Sequence, residues 1–305
     1  MYYPILKGKR HELSAVVNLS SLLSPNKFSP VIEPVRTSLN SLIKTIGALS
    51  GNSVVPIIVI NPSQGEFSKV SSAGVHTSLQ ANSVSSGKFL PCVKIKDASD
   101  FSALALLSQH PTAAVYLESD IAHTSLGLLS GRPCTLVNEH KIDTVIQSTL
   151  TNLVVYSDSF AKKKRNADYG VSSFYSNLHT TYKSKLNVIG FGDFTIMEEE
   201  YSDNGGPAYV VAIHASHIQS AAPNSMHVRH FCSTSNPTVT ANLAGKYKEA
   251  LKALISFDAS NPGFFDNTLG MQQFRASYAA GHFPGLGVTK ENSITHHIQT
   301  ICNFI

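Results

Sequence analysis

The chain predicts a (β/α)8 barrel, and three observations carry that expectation. Six short apolar runs each open just after a proline, and most end on a lone polar residue. They begin at Pro4, Pro30, Pro56, Pro91, Pro111 and Pro133, at intervals of 26, 26, 35, 20 and 22 residues, close to one strand plus one helix. Runs such as PIIVI are apolar on both faces, as suits a parallel strand covered on both sides. Two further strands bring the count to eight, the number that closes a barrel. An open doubly wound sheet would use the same local code; the count favours the barrel.

The elements follow in order. The first strand is placed at 2–7 and its helix at 10–23, where Leu13, Val16, Val17 and Ser20 recur at helical spacing. Strand two is 28–33, and its helix at 36–50 carries Leu39, Leu42, Ile43, Ile46 and Leu49 on one stripe before Gly51 stops it. Strand three is 54–60, followed by a Ser/Gly/Asn-rich loop over 62–88 with a short helix near 76–84. Strand four is 89–95, with a helix at 98–109 capped by Asp97 or Ser99. Strand five is 112–118 with a helix at 121–129, and strand six is 134–138 with a short helix at 141–149. Strand seven is 152–157, a helix or loop spans 160–185, and strand eight is 187–193.

From 194 the pattern changes. A Gly205-Gly206-Pro207 turn feeds a strand at 208–214, with 227–232 as its hairpin partner over one end of the barrel. Helices follow at 239–256, where Leu243, Tyr247, Ala250, Leu251 and Leu254 repeat, and at 268–280. A loop at 282–287 and a last helix from Ser293 close the chain. The expected organisation is a barrel core over 1–193 and a hairpin-and-helix extension over 194–305, packed as one integrated domain.

Bulk composition agrees with a folded globular protein. Of 305 residues, 42% are hydrophobic and 14% charged, which excludes a disordered chain. A net charge of +4 permits an anionic partner without demanding one, and Lys162-Lys163-Lys164-Arg165 reads more readily as a solvated face than as a nucleic-acid stripe. The four cysteines (Cys92, Cys134, Cys232, Cys302) form no CxxC pair and are expected as reduced thiols. The opening residues lack a signal-peptide stretch, and no run approaches membrane-spanning length, so a cytoplasmic protein without a membrane partner is expected.

Side chains alternate along a strand, which predicts where polar strand ends point. Ile5 with Lys7, Val31 with Glu33, and Ile57, Val59 and Asn61 share faces. So do Cys92 with Lys94, Leu136 with Asn138, and Ile189, Phe191 and Asp193. Each set runs from apolar to polar towards the C-terminal end, where barrel enzymes carry their active sites. Lys7, Glu33, Asn61, Lys94, Asn138 and Asp193 are therefore expected to converge in one mouth, joined by Glu118 (or Ser119) and Asp158. Two lysines among several carboxylates suit acid/base work or a divalent cation held by Glu33 and Asp193. Ordinary polar caps that pair with one another are the plainer alternative.

Weaker signals point elsewhere. GFGD at 190–193 lacks the spacing of a dinucleotide loop. His214, at a strand end, reads first as a satisfied structural group, and His296 and His297 face different directions on one helix. No HExxH, Walker loop, GxSxG or zinc-knuckle spacing occurs.

The opening MYYPILKGKRHEL, the VIEPV and VINP strand ends, KRNADYG, GFGDFTI, GGPAYVVAIH and the closing HFPGLGVTKENSITHHI resemble the phage and bacterial "beta protein" family over nearly the whole chain. The matching positions are Lys7, Gly8, Glu33, Pro34, Asn61, Pro62, Arg165, Asn166, Asp168, Tyr169, Gly192, Asp193 and His214. The resemblance implies a setting in phages, prophages and defence loci, often beside a small nuclease, and brings no assigned catalytic residues. It adds Arg165, Asn166 and His214 to the candidate ligand-binding residues.

Two functions follow as expectations. One is a hydrolase or lyase acting on an anionic phosphodiester or nucleotide, with Lys7 and Lys94 neutralising charge and Glu33 and Asp193 as base, acid or metal ligands. The other is a non-catalytic partner or sensor that binds a nuclease, another defence protein or a phage component. Direct nucleic-acid binding through Lys162 to Arg165, with Lys183 and Lys185, is a third and weaker expectation.

Overall fold

A computed structural model describes residues 1–82, 88–202 and 208–305. In chain order, β1 (Tyr2–Leu6), α1 (Arg10–Ser20), β2 (Val31–Ile32), α2 (Asn40–Gly51), β3 (Ile57–Val59) and α3 (Val75–Ala81) come first. They lead to β4 (Leu90–Ile95), α4 (Phe101–Gln109), β5 (Ala114–Leu117), β6 (Thr135–Asn138), α5 (Thr144–Thr149) and β7 (Leu153–Ser157). Next are β8 (Ser172–Ser176), α6 (Leu178–Thr181), β9 (Val188–Asp193), β10 (Ala212–Ile218) and β11 (Met226–Cys232). Helices α7 (Leu243–Ser260), α8 (Leu269–Ala279) and α9 (Leu286–Phe304) end the chain.

Two compact units result, one comprising Met1–Asp158, Leu178–Phe194 and Ile305, the other Ser159–Asn177 and Thr195–Phe304. In the first, β1 to β7 and β9 close into an eight-stranded parallel barrel. Its interior is a single apolar cluster that includes Tyr3, Ile5, Val31, Val59, Cys92, Tyr116, Leu136, Tyr156 and Phe194. A second apolar layer forms outside it, where Leu13 of α1, Leu42 and Ile46 of α2 and Leu79 of α3 meet Ile32 and Ile58. Strands apolar on both faces are thus explained: one face fills the barrel and the other receives helices. Pro30, Pro56, Pro111 and Pro133 lie just before strands, but Pro4 and Pro91 sit within them. Pro4 has no N–H to give, and β1–β2 pairing splits there into an isolated bridge, Tyr2 to Phe28, and a ladder that restarts at Ile5 and Val31.

Three expectations need correction here. The side chain of Asp100, not Asp97 or Ser99, caps α4 by accepting the Ala103 N–H at 3.2 Å; Asp97 accepts from Ser99 one turn earlier. The 160–185 stretch is neither one helix nor a loop, because β8 lies inside it. Only Tyr175 of that polar, half-exposed strand is buried, so its alternation is too faint to read locally. The last helix starts at Leu286 rather than Ser293. The Gly205-Gly206-Pro207 turn, and the end of the helix expected at 76–84, fall outside the described residues.

The second unit is built on a three-stranded antiparallel sheet in the order β10-β11-β8. The expected hairpin is present, displaced a few residues, with His214 directly opposite His230. Ile213, Ala215 and Phe231 pack on Tyr247, Ala250, Leu251 and Leu254 of α7 and on Met271 and Phe274 of α8. Both histidines of α9 are buried and spoken for. His296 bridges the Thr268 hydroxyl and the Ser216 carbonyl, each at 2.7 Å, and His297 meets the Ser216 hydroxyl at 2.7 Å.

Candidate functional site

The barrel mouth gathers four charges in a chain. Glu33, just past β2, is 0% exposed, and its Oε2 receives the Nζ of Lys7 and the Nζ of Lys94, each at 3.1 Å. Lys94 also reaches Oε1 of Glu118 at 2.6 Å, and the Glu118 side chain is 25% exposed at the rim. Period-two alternation puts these groups there: Lys7 follows Ile5, Glu33 follows Val31, Lys94 follows Cys92 and Glu118 follows Tyr116, all inward-facing. The floor is aromatic, with the Lys7 ammonium 5.5 Å from the Phe194 ring centroid and that of Lys94 5.2 Å from Tyr116. Sequence reasoning missed Phe194 and Tyr116 as part of the site, although Tyr116 was visible two residues before Glu118.

Burial would raise the Glu33 pKa, but the Lys7 and Lys94 ammonium groups outweigh it and hold the carboxyl below its ordinary 4.5. Burial likewise pulls Lys94 down, and Glu33 and Glu118 outweigh that, leaving it above its ordinary 10.5. Both groups are therefore charged at neutral pH. A depressed carboxylate stabilises the fold above 4.5 and loses that contribution as pH falls through its folded value; a raised ammonium stabilises below 10.5 and loses it as pH rises through its own. The difference in urea midpoint between the unmodified chain and Glu33→Gln should therefore hold steady from neutral pH down to 4.5 and shrink below it, on top of the loss that the buried histidines impose on both proteins below 6.5. An acid limb unchanged in Glu33→Gln would contradict this assignment.

The other oxygen of Glu33, Oε1, is buried and accepts no hydrogen bond among the described residues. An anionic oxygen out of water without a donor is costly, which makes Oε1 the atom of this network best placed to accept a further hydrogen bond.

Neighbouring residues fix the frame. Gly8, at φ +65, turns the chain sharply after Lys7. The buried Glu12 of α1 accepts the Lys7 backbone N–H at 2.6 Å. Its own pKa is raised, because desolvation exceeds what the Lys7 and Lys9 amides and charges return. Glu12→Leu should cost about 1–3 kcal/mol by orphaning that amide, whereas Glu12→Gln, which keeps the acceptor, should be far milder; chemical denaturation compares them. Asn61 continues the β3–β4 ladder with its side chain, donating to the Lys94 carbonyl at 2.7 Å and accepting the Lys94 N–H at 2.8 Å. Asn138 holds the turn after β6 by accepting the His140 N–H at 3.0 Å. Both amides position backbone.

Asp193 is not in the mouth. A bulge in β9 shifts its pairing with β7 from Leu153–Val188 to Val154–Gly190, so Ile189 is an extra residue. Gly190, Gly192 and Phe194 then face inward, and Ile189, Phe191 and Asp193 face out. Asp193 accepts the Tyr2 hydroxyl at 2.6 Å on that outer face, where Phe191 packs on Tyr2 and Tyr182. Asp193→Asn is thus expected to leave ligand binding at the mouth unchanged, as a titration would report. Asp158 lies exposed beyond β7. A divalent cation on Glu33 and Asp193 does not fit: one is clamped by two ammonium groups and the other faces away. Among the described residues no three His, Cys, Asp or Glu side chains cluster to hold a metal ion.

Arg165, Asn166 and His214 belong to the second unit. Arg165 forms an exposed two-pronged pair with Asp168, from its Nη2 at 2.6 Å and its Nε at 3.1 Å. Asn166 donates to the Val210 carbonyl at 2.8 Å. His214 meets His230 through Nδ1 atoms 2.8 Å apart. In the basic run Lys162 pairs with Glu198 and Arg165 with Asp168, and elsewhere Lys185 pairs with Glu139. These pairs remove much of the free positive charge that a nucleic-acid surface needs.

Fold and mouth together define a TIM-like barrel protein with a buried lysine–carboxylate network at the strand C-terminal ends and a C-terminal α+β extension. Compared with known proteins, the chain matches no family model, no curated protein and no solved structure. Among the described residues no helix is long and apolar enough to cross a membrane.

Proposed function

We propose that the barrel mouth binds a small anionic molecule, a phosphodiester or nucleotide being the class that fits best, and acts on it as a hydrolase or lyase. The observation that carries this reading is the Glu33 Oε1, which accepts no hydrogen bond among the described residues, beside two buried ammonium groups. A ligand with an anionic group for Lys7 and Lys94 and a hydroxyl or amine for Oε1 would complete the set. Glu33, held ionised, is a weak proton acceptor, so its part is to orient the lysines and receive a donor. Lys94, held as an ammonium, stabilises charge that develops on the substrate.

Thermal shift with inorganic phosphate and nucleoside monophosphates tests this. A saturating ligand at about 100 times its Kd should stabilise the chain by about 2.7 kcal/mol, and Lys7→Met should remove that gain. No stabilisation by any anion, or a gain that survives Lys7→Met, would rule the reading out.

The balance of two lysines and two carboxylates also favours a second reading. A network neutral in itself is suited to a non-catalytic barrel that binds a partner, in the phage or defence setting that the beta protein resemblance implies, with a nuclease as the candidate partner. Stoichiometric capture of a nuclease from the native host, unaffected by Lys7→Met, would favour it.

A further inference from the structure

Three polar side chains line up across the sheet of the second unit. His214 and His230 are direct cross-strand partners on β10 and β11, with Nδ1 atoms 2.8 Å apart. The Nε2 of His230 lies 3.0 Å from Oγ of Ser173 on β8. A single proton serves the Nδ1 pair, so one ring donates and the other accepts. If His230 donates through Nδ1, its Nε2 is left with a lone pair aimed at the serine hydroxyl. That is the order of a nucleophile, a base and a group that orients the base.

We propose that Ser173, His230 and His214 form an acyl-transfer site, with Ser173 as nucleophile, His230 as general base and His214 as the positioning residue that accepts the His230 Nδ1 proton. The surroundings support these roles. Ser173 is only partly buried, so an acyl group can reach it. Tyr169 packs on both imidazoles, its ring centroid 4.7 Å from that of His214 and 4.5 Å from that of His230, and Phe160 lies 5.1 Å from His214. These rings cover part of the histidine pair and offer an apolar wall to an acyl chain.

Burial, then His230 and Lys290, push His214 down to about 3, and burial, then Lys163, push His230 down to about 4. Both rings are neutral at physiological pH, so the His230 lone pair is available. A neutral imidazole offsets an imidazolium less well than a carboxylate does, and a base of low pKa accepts protons weakly. The substrate class is therefore carboxylic esters with good leaving groups, not amides.

The step balances without a co-reactant. Ser173 Oγ bonds to the acyl carbon while its proton passes to His230 Nε2. The bond from that carbon to the alcohol oxygen breaks, and the departing alcohol takes the proton. Water then attacks the acyl-serine, gives its proton to Nε2 and releases the acid, and Nε2 returns the proton to Ser173.

The full chain treated with a fluorophosphonate probe tests this, with the adduct located by peptide mass spectrometry. We expect the probe on Ser173, no such adduct in Ser173→Ala, and labelling slowed roughly 100-fold in His230→Gln. His214→Asn, which keeps an acceptor, should retain most of the rate that His214→Phe loses, a rescue that a packing role would not produce. Circular dichroism checks that each variant is folded. Absence of probe from Ser173 in the unmodified chain, or equal labelling of a folded His230→Gln, would overturn the proposal. It stands independently of the barrel mouth.

Discussion

Glu33→Gln should destabilise the protein by about 3–5 kcal/mol, the range for breaking a buried ion pair by removing one partner. The reason is geometric: Lys7 and Lys94 both give their ammonium protons to one Glu33 oxygen, and both lysines are buried. Glutamine keeps an acceptor but removes the charge, which leaves Lys94 with Glu118 at the rim and Lys7 with no carboxylate ion pair among the described residues. A fall of roughly 10 °C in melting temperature is expected. The variant alone cannot separate stability from ligand binding, because it damages both. The triple variant Lys7→Met, Glu33→Leu, Lys94→Met can, since a buried ion set replaced by apolar groups of similar volume is often neutral or stabilising. It should recover most of the stability and none of the anion binding. A Glu33→Gln melting curve matching that of the unmodified protein would show that the carboxylate charge does not hold the lysines.

Gly192→Val should be as damaging, through packing. A Cβ at Gly192 would lie 2.4 Å from the Tyr3 carbonyl oxygen, and one at Gly190 2.4 Å from the Tyr3 ring. The backbone oxygen cannot swing aside as a side chain would. Relief requires β1 to part from β9, and that seam closes the barrel through pairs such as Tyr3 with Gly192. Overpacking of this kind costs about 1–3 kcal/mol in an ordinary core, and a breached barrel seam should exceed that range. Gly190→Ala would meet the Tyr3 ring and, at 2.6 Å, the Met1 carbonyl oxygen; it is expected to be milder because that oxygen sits at the end of the β1–β9 ladder, where the backbone can shift without parting the strands. Urea denaturation orders the two, and a Gly192→Val midpoint equal to that of the unmodified chain would mean that the seam gives way cheaply.

Much of the barrel is legible locally. Proline-led apolar runs mark the strands, and alternation points Lys7, Glu33, Lys94 and Glu118 inward because each extends a face begun by a residue of the interior cluster. The same rule misplaces Asp193. With Val188 outward, strict alternation turns Ile189, Phe191 and Asp193 inward, and one extra residue in β9 reverses all three. The large apolar side chains look like the interior set, yet Tyr3 needs the space, and only Gly190 and Gly192 leave it. Asn61 and Asn138 illustrate a different limit. Their positions follow from the strands, but the amide of one completes a ladder and that of the other fixes a turn, which no spacing reveals.

By itself, then, the chain determined what depends on neighbours a few residues away: eight two-faced apolar strands, the helices between most of them, and the polar residues at their ends. Tertiary structure alone decided what depends on hydrogen-bonded pairing between distant segments. That pairing chose the register of β9, assigned β8 to the second sheet, and brought Ser173, His230 and His214 together from three strands. The division has one physical origin. Periodicity is a property of a single strand, whereas register is set between strands, by bulges and close backbone contacts that a lone strand does not encode.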